Sequence, residues 1–152
     1  MRAVVQRVLD AKVEVEGKIV GNIERGFVVF LGIGKDDTQK DLDFLVKKVC
    51  GLRIFEDENE RMNLSPTAIG AEMLVISNFT LFGDLSNGFR PDFFGSMPPQ
   101  EAKEYVEKFV SLCKQQNSFK KIQTGIFGAD MKVSVTNDGP VTIIIDTKEI
   151  MK

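Results

Sequence analysis

Phe27-Val28-Val29-Phe30-Leu31-Gly32-Ile33 is apolar along its whole length. A strand that faces water on one side alternates apolar with polar residues, so an unbroken apolar run needs cover on both faces. The run is far too short for a membrane span, which takes about 20 apolar residues in a helix. It therefore demands a sheet with packed layers above and below it. Met73-Leu74-Val75-Ile76 makes the same demand a second time. A chain of 152 residues can meet it, because folding at this size buries roughly 68–70% of the unfolded surface. The expectation is a single domain over residues 1–152.

The remaining segments fall around these two strands. Val4–Leu9, Val13–Val15 and Ile19–Ile23 read as strands, with a turn at Gly17-Lys18. Leu42, Leu45, Val46 and Val49 repeat at helical spacing between Thr38, a natural N-cap with Asp41 three residues on, and Gly51. A second helix runs from Pro99 to about Gln116, with Ala102, Tyr105, Val106, Phe109, Val110 and Cys113 on one face. Leu52–Phe55 and Ile122–Thr124 are short strands, and Met131–Asp146 reads as a closing hairpin turning at Asn137-Asp138-Gly139. Pro140 removes a ladder N–H where the second arm begins, a position strands tolerate only at their first residue or an edge. Between Phe82 and Pro98 lies a long irregular stretch, and loops of that length are more often binding loops than connectors. Its Phe89, Phe93 and Phe94 fit either a binding loop or a satellite of the core. The order of strands and helices implies an α/β fold of mixed sheets with both helices packed on them.

Composition narrows the chemistry. The chain has no histidine, which removes Ser-His and Cys-His nucleophile pairs and His-rich zinc sites. Cys50 and Cys113 lie far apart within apolar-periodic segments and read first as reduced core thiols, with a disulfide or nucleophile as the alternative. No metal and no cofactor is expected. Any proton transfer falls to carboxylates, Lys, Tyr, backbone, water or substrate. A net charge of −2 and a pI near 5.3 argue against non-specific coating of nucleic acid, which needs a dense basic surface. A local basic patch stays open, with Lys120-Lys121 and Arg90 as candidates for phosphate contact or plain solvated charges. The first residues lack the apolar core of a signal peptide, so the cytoplasm is expected, with no membrane partner.

Two motifs carry a resemblance. Ser77-Asn78-Phe79-Thr80-Leu81 and Asn137-Asp138-Gly139-Pro140-Val141-Thr142 are similar to the paired signatures of the D-aminoacyl-tRNA deacylase family. Gln6-Arg7-Val8, Arg53-Ile54-Phe55, Met62-Asn63-Leu64, Gly88-Phe89-Arg90-Pro91 and Phe127-Gly128-Ala129-Asp130-Met131 match in order along nearly the whole chain. The resemblance implies a three-layer α/β/β domain with mixed, largely antiparallel sheets and two main helices, assembled as a homodimer. It implies hydrolysis of the ester joining a D-amino acid to tRNA, and of glycine mischarged on tRNA-Ala, as chiral proofreading in translation. It also implies a cis Gly139-Pro140 pair inserted into the partner subunit's active site. There are two departures: Asn78 stands where the family usually has Gln, and Asp92 where Ser is common.

The chemistry suggests roles for these residues. A D-aminoacyl ester and its mirror image carry the same groups, so only a rigid element can separate them. Main-chain carbonyls of Gly139 and Pro140 gripping the α-ammonium would direct an L side chain into backbone, giving selection by clash. Ser77, Asn78, Phe79 and Thr80 would form the catalytic segment. Thr80 is either a nucleophile or a bystander beside main-chain N–H groups that hold the ester carbonyl oxygen. In the second case the terminal ribose hydroxyl of tRNA assists the attack. Arg7 either positions the Gly139-Pro140 turn or lies on the surface. Phe127, Ala129 and Met131 either line an adenosine pocket or belong to the core. The reading from another class is a non-catalytic dimeric nucleic-acid-binding module.

Overall fold

The computed structural model describes residues 1–151. Its organising element is β1 (Arg2–Val15), a single long strand where two short ones were expected. β2 (Lys18–Ile23) returns antiparallel through Glu16 and Gly17, both at positive φ (51° and 77°). That two-residue geometry matches the twist of the strands it joins. β3 (Gly26–Gly32) pairs antiparallel with the first half of β1, from Arg2 opposite Gly32 to Val8 opposite Gly26. β6 (Glu72–Ser77) adds in parallel to β3, and β7 (Lys121–Thr124) in parallel to β6. β4 (Phe55–Glu56) and β5 (Met62–Leu64) form a separate small hairpin.

α1 (Gln39–Cys50) starts where the sequence placed it. Thr38 precedes it, and the Asp41 carboxylate accepts from the Thr38 N–H at 2.9 Å, which satisfies a donor that the helix leaves unpaired. α3 (Pro99–Gln115) likewise opens on its proline. Two short helices, α2 (Pro66–Ile69) and α4 (Thr147–Ile150), lacked a sequence signal long enough to read. Among the described residues no helix is long and apolar enough to cross a membrane.

The doubly apolar strands do what their composition requires. Phe27, Val29 and Leu31 of β3 and Met73 and Val75 of β6 face α1 and α3, packing on Leu42, Leu45, Phe109 and Cys113. Val28, Leu74 and Ile76 face the other way, into a second cluster with Val8, Ala11, Val13 and Ile23. The sheet curls over this second cluster. Gly21 of β2 approaches β7 so closely that an added Cβ would lie 2.8 Å from the Thr124 carbonyl oxygen. Helices, sheet and the curled-over sheet make the three layers, and the mixed α/β architecture agrees with expectation. Cys50 and Cys113 are free and buried in the first cluster.

Leu52–Phe55, expected as a strand, pairs only from Phe55 onward, and the expected closing hairpin does not form. Met131–Asp146 is not a hairpin: β8 (Lys132–Asp146) is one strand running antiparallel along the open edge of β1. Thr142 lies opposite Gln6 and Asn137 opposite Val8, so residues 138–141 all face Arg7 alone. The Asp-Gly signal is real, but it marks a wide bulge rather than a reversal. Both flanking segments find a better partner in β1, which offers a free edge along its entire length.

Candidate active site

β6 ends at Ser77, and the chain enters a 3-10 turn, Phe79–Phe82. The Asn78 N–H donates to the Leu31 carbonyl at 2.8 Å, which ties the start of the turn to β3. The Asn78 side-chain oxygen accepts from the Thr80 N–H at 3.2 Å and from the Thr80 hydroxyl. Asn78 thus caps its own turn, as its short side chain allows. A neutral amide oxygen cannot remove the hydroxyl proton, so Asn78 is not a general base for Thr80.

Ser77, Asn78 and Phe79 form one wall of a cleft of about 730 Å³. Phe127, Ala129 and Met131 form another, and Phe93, Phe94 and Ser96 close the third side. Phe93 meets Phe79 edge-on with ring centroids 5.0 Å apart. The Ser96 hydroxyl donates to the Phe79 carbonyl at 3.2 Å, and the Met97 N–H to the Ile33 carbonyl at 3.0 Å. The irregular stretch is therefore anchored at its far end to the 3-10 turn and to Ile33, just past β3. At its near end Asp84 accepts from the hydroxyl and N–H of Ser86, which hold its carboxyl below the usual range. Phe89, at the loop's outer tip, is fully exposed, and none of its three aromatic residues joins either core cluster. The cleft is mainly aromatic and aliphatic with a few polar edges, a lining suited to a flat organic group.

Gly139 and Pro140 lie elsewhere. They sit exposed on the β8 bulge, joined by a cis peptide bond, and do not line the cleft of their own chain. Behind them Arg7 is almost wholly buried, its side chain 5% exposed. A buried guanidinium must be paired and hydrogen-bonded, and this one is. Nη1 donates to the Ile54 carbonyl at 2.8 Å, Nε to the Asp138 carbonyl at 3.3 Å, and Nη2 lies 3.6 Å from the Glu56 carboxylate. The Asp138 carboxylate is also 3.3 Å from Nε. The surface reading of Arg7 is thereby excluded.

The expected residues fall into two groups. Ser77, Asn78, Phe79, Phe127, Ala129 and Met131 share the cleft, with Thr80 beside it on the exposed turn; Gly139, Pro140 and Arg7 make a separate corner. Ser96, Glu56 and the Asn137 amide escaped sequence reasoning. Only Asn137 carried a signal, its place inside the second motif.

The comparisons fit this arrangement. Residues 4–146 match the D-Tyr-tRNA(Tyr) deacylase family. Proteins named D-aminoacyl-tRNA deacylase from Thermosipho africanus and Clostridium tetani are 54% and 53% identical over 150 residues, each covering 99% of both chains. A solved structure described as "c-Myc DNA Unwinding Element Binding Protein" superposes with a TM-score of 0.91 at 41% identity, over 96% of this chain and 98% of that one. Another, described as "a probable eukaryotic D-amino acid tRNA deacylase", shares the fold with a TM-score of 0.82 at 14% identity, over 95% of this chain and 97% of that one. With most of its length matched by the family and half its residues shared with these relatives, the chain belongs to the D-Tyr-tRNA(Tyr) deacylase family.

Proposed function

We propose that this protein hydrolyses the ester of D-aminoacyl-tRNA, releasing free D-amino acid and tRNA, and that it acts as a homodimer. Membership of the family makes it a deacylase, hence a hydrolase. The observation that carries the finer reading is spatial. The catalytic segment and the exposed Gly139-Pro140 corner belong to the two signature motifs, yet in one chain they do not share a cleft. A second copy unites them when each corner enters the other's cleft, and a two-fold pair does this twice. Exposed apolar side chains on β8, Ile144 (72% exposed) and Val135 (37%), are suited to such a contact.

In this reading the terminal adenosine lies among Phe127, Ala129 and Met131, with the ester at Ser77–Thr80. The Gly139 and Pro140 carbonyls of the partner accept from the α-ammonium. With ammonium and ester both fixed, a D side chain points outward and an L side chain meets backbone, so selection is by exclusion. Glycine, with no side chain, passes the same filter, which extends the reaction to glycyl-tRNA-Ala. Main-chain N–H groups of Phe79 and Thr80 stabilise the oxyanion. Thr80 gives up its bond to Asn78 to do so. The side-chain partner of Thr80 is the neutral Asn78 amide, and the neighbouring ribose hydroxyl of the substrate supports the attack. The site of action is the cytoplasm, where aminoacyl-tRNA is used.

Deacylation of D-Tyr-tRNA and L-Tyr-tRNA tests the assignment. Rapid loss of the D ester alone is expected. Hydrolysis of neither by folded protein would replace it with the nucleic-acid-binding module. A substrate lacking the 2′-hydroxyl should be nearly inert, and full turnover of it would return Thr80 to the role of nucleophile.

A further inference from the structure

We propose that Asn137 is a positioning residue for chiral selection: its side-chain amide clamps the Gly139-Pro140 corner in the orientation that receives the aminoacyl group. The proposal rests on the role given to that corner above.

The bulge creates the need. Residues 138–141 lie opposite a single residue of β1, so the ladder that fixes the rest of β8 is interrupted where position matters most. The Asn137 amide bridges the gap. Nδ2 donates to the Arg7 carbonyl at 2.9 Å and to the Val141 carbonyl at 3.0 Å. One bond reaches across to β1 and the other over the corner, from the residue before Asp138 to the residue after Pro140. Both acceptors are carbonyl oxygens, so only the NH2 end of the side chain can face them, and it uses both its hydrogens.

Arg7 completes the hold from the opposite side. Its main chain accepts from Asn137 while its guanidinium donates to the Asp138 carbonyl. The corner is thus gripped on both flanks by two side chains joined through one residue of β1. A group that must present two carbonyls to an ammonium loses rate steeply with small misplacement, about a hundredfold for 1 Å. Asn137 touches no substrate atom in this scheme and acts only through the corner.

Asn137→Asp tests it with little change in shape. The carboxylate opposes two carbonyl oxygens where the amide donated to them. The expected result is a fall of about tenfold or more in kcat for D-Tyr-tRNA. KM should stay near the parent's, because the adenosine end binds in the cleft. The D-over-L ratio of kcat/KM should narrow. Parental kcat with a parental ratio overturns the clamp, and so does a loss that tracks melting temperature with the ratio unchanged. If the variant does not fold, the side-chain amide signals of Asn137 in the unaltered protein decide. They should shift with a non-hydrolysable D-tyrosyl-3′-amino-adenosine and not with adenosine; no difference between the two overturns the proposal. A parent inactive on D-Tyr-tRNA refutes the assigned function instead.

Discussion

Gly139 shows how closely one residue is constrained. Its φ is 127°, a region that side-chain-bearing residues rarely occupy. A Cβ added there would lie 2.8 Å from Val141 Cγ2 and 3.2 Å from Arg7 Nη2. Gly139→Ala therefore meets two penalties, strain of about 1–3 kcal/mol in the backbone and a displaced corner. We expect the variant to fold with a melting point a few degrees lower. We also expect D-Tyr-tRNA deacylation to fall by an order of magnitude or more. Unchanged turnover by a folded Gly139→Ala protein would separate the corner from the reaction. Asn78 makes the complementary point at the other motif. Its side-chain oxygen caps the Thr80 N–H while the residue also lines the cleft wall, a pairing within the turn that the motif alone did not disclose.

Among the elements, α1 is where local sequence and long-range structure meet. Asp41 does more than cap the helix. It accepts from the Thr147 hydroxyl at 2.6 Å and from Lys148 Nζ at 3.0 Å, so α4 is bound to the start of α1. Burial alone would raise its carboxyl. The bonds from Thr147, the Thr38 N–H and Lys148, with the N-terminal charge nearby, outweigh burial and hold it well below the usual range. A carboxyl depressed in the folded state takes up its proton first in the unfolded chain, so stability rises with pH where the two differ. The contribution is complete above the unfolded value of about 3.9 and is lost as pH falls below it. Urea midpoints should therefore drop as pH falls below about 4. Asp41→Asn should be less stable near neutral pH and show a flatter acid slope; an unchanged slope would remove Asp41 from this role. The Thr38–Asp41 pairing was legible in sequence because it spans a single turn. The α4 contact was not, because its partner lies more than a hundred residues away. Nor was the path of β8: an Asp-Gly turn signal cannot reveal that β1 leaves an edge free along both halves. The double-faced strands were legible for the opposite reason, since cover on both sides is written into their own composition.

In the whole molecule the two signature motifs are parted by the fold itself. β6 and the turn after it bring Ser77, Asn78 and Phe79 to the cleft, while β8, on the far side of β1, carries Gly139-Pro140 away from it. This division has a consequence that no single-site substitution can show. A subunit with Gly139→Ala keeps an intact cleft and a damaged corner. A subunit with Ala129→Trp, whose indole fills the cleft, keeps an intact corner and a blocked cleft. Neither homodimer should deacylate D-Tyr-tRNA at more than a small fraction of the parent's rate. When the two are unfolded together and refolded in equal amounts, about half the dimers are mixed by random pairing, and each holds one site built from two sound parts. Activity should then recover to about a quarter of the parent's, since half of the dimers carry one working site of two. Mixing without subunit exchange should leave both variants as they were, which controls for additive residual activity. Absence of recovery despite exchange verified by mass spectrometry of the mixed dimer would mean that corner and cleft do not serve one another across an interface.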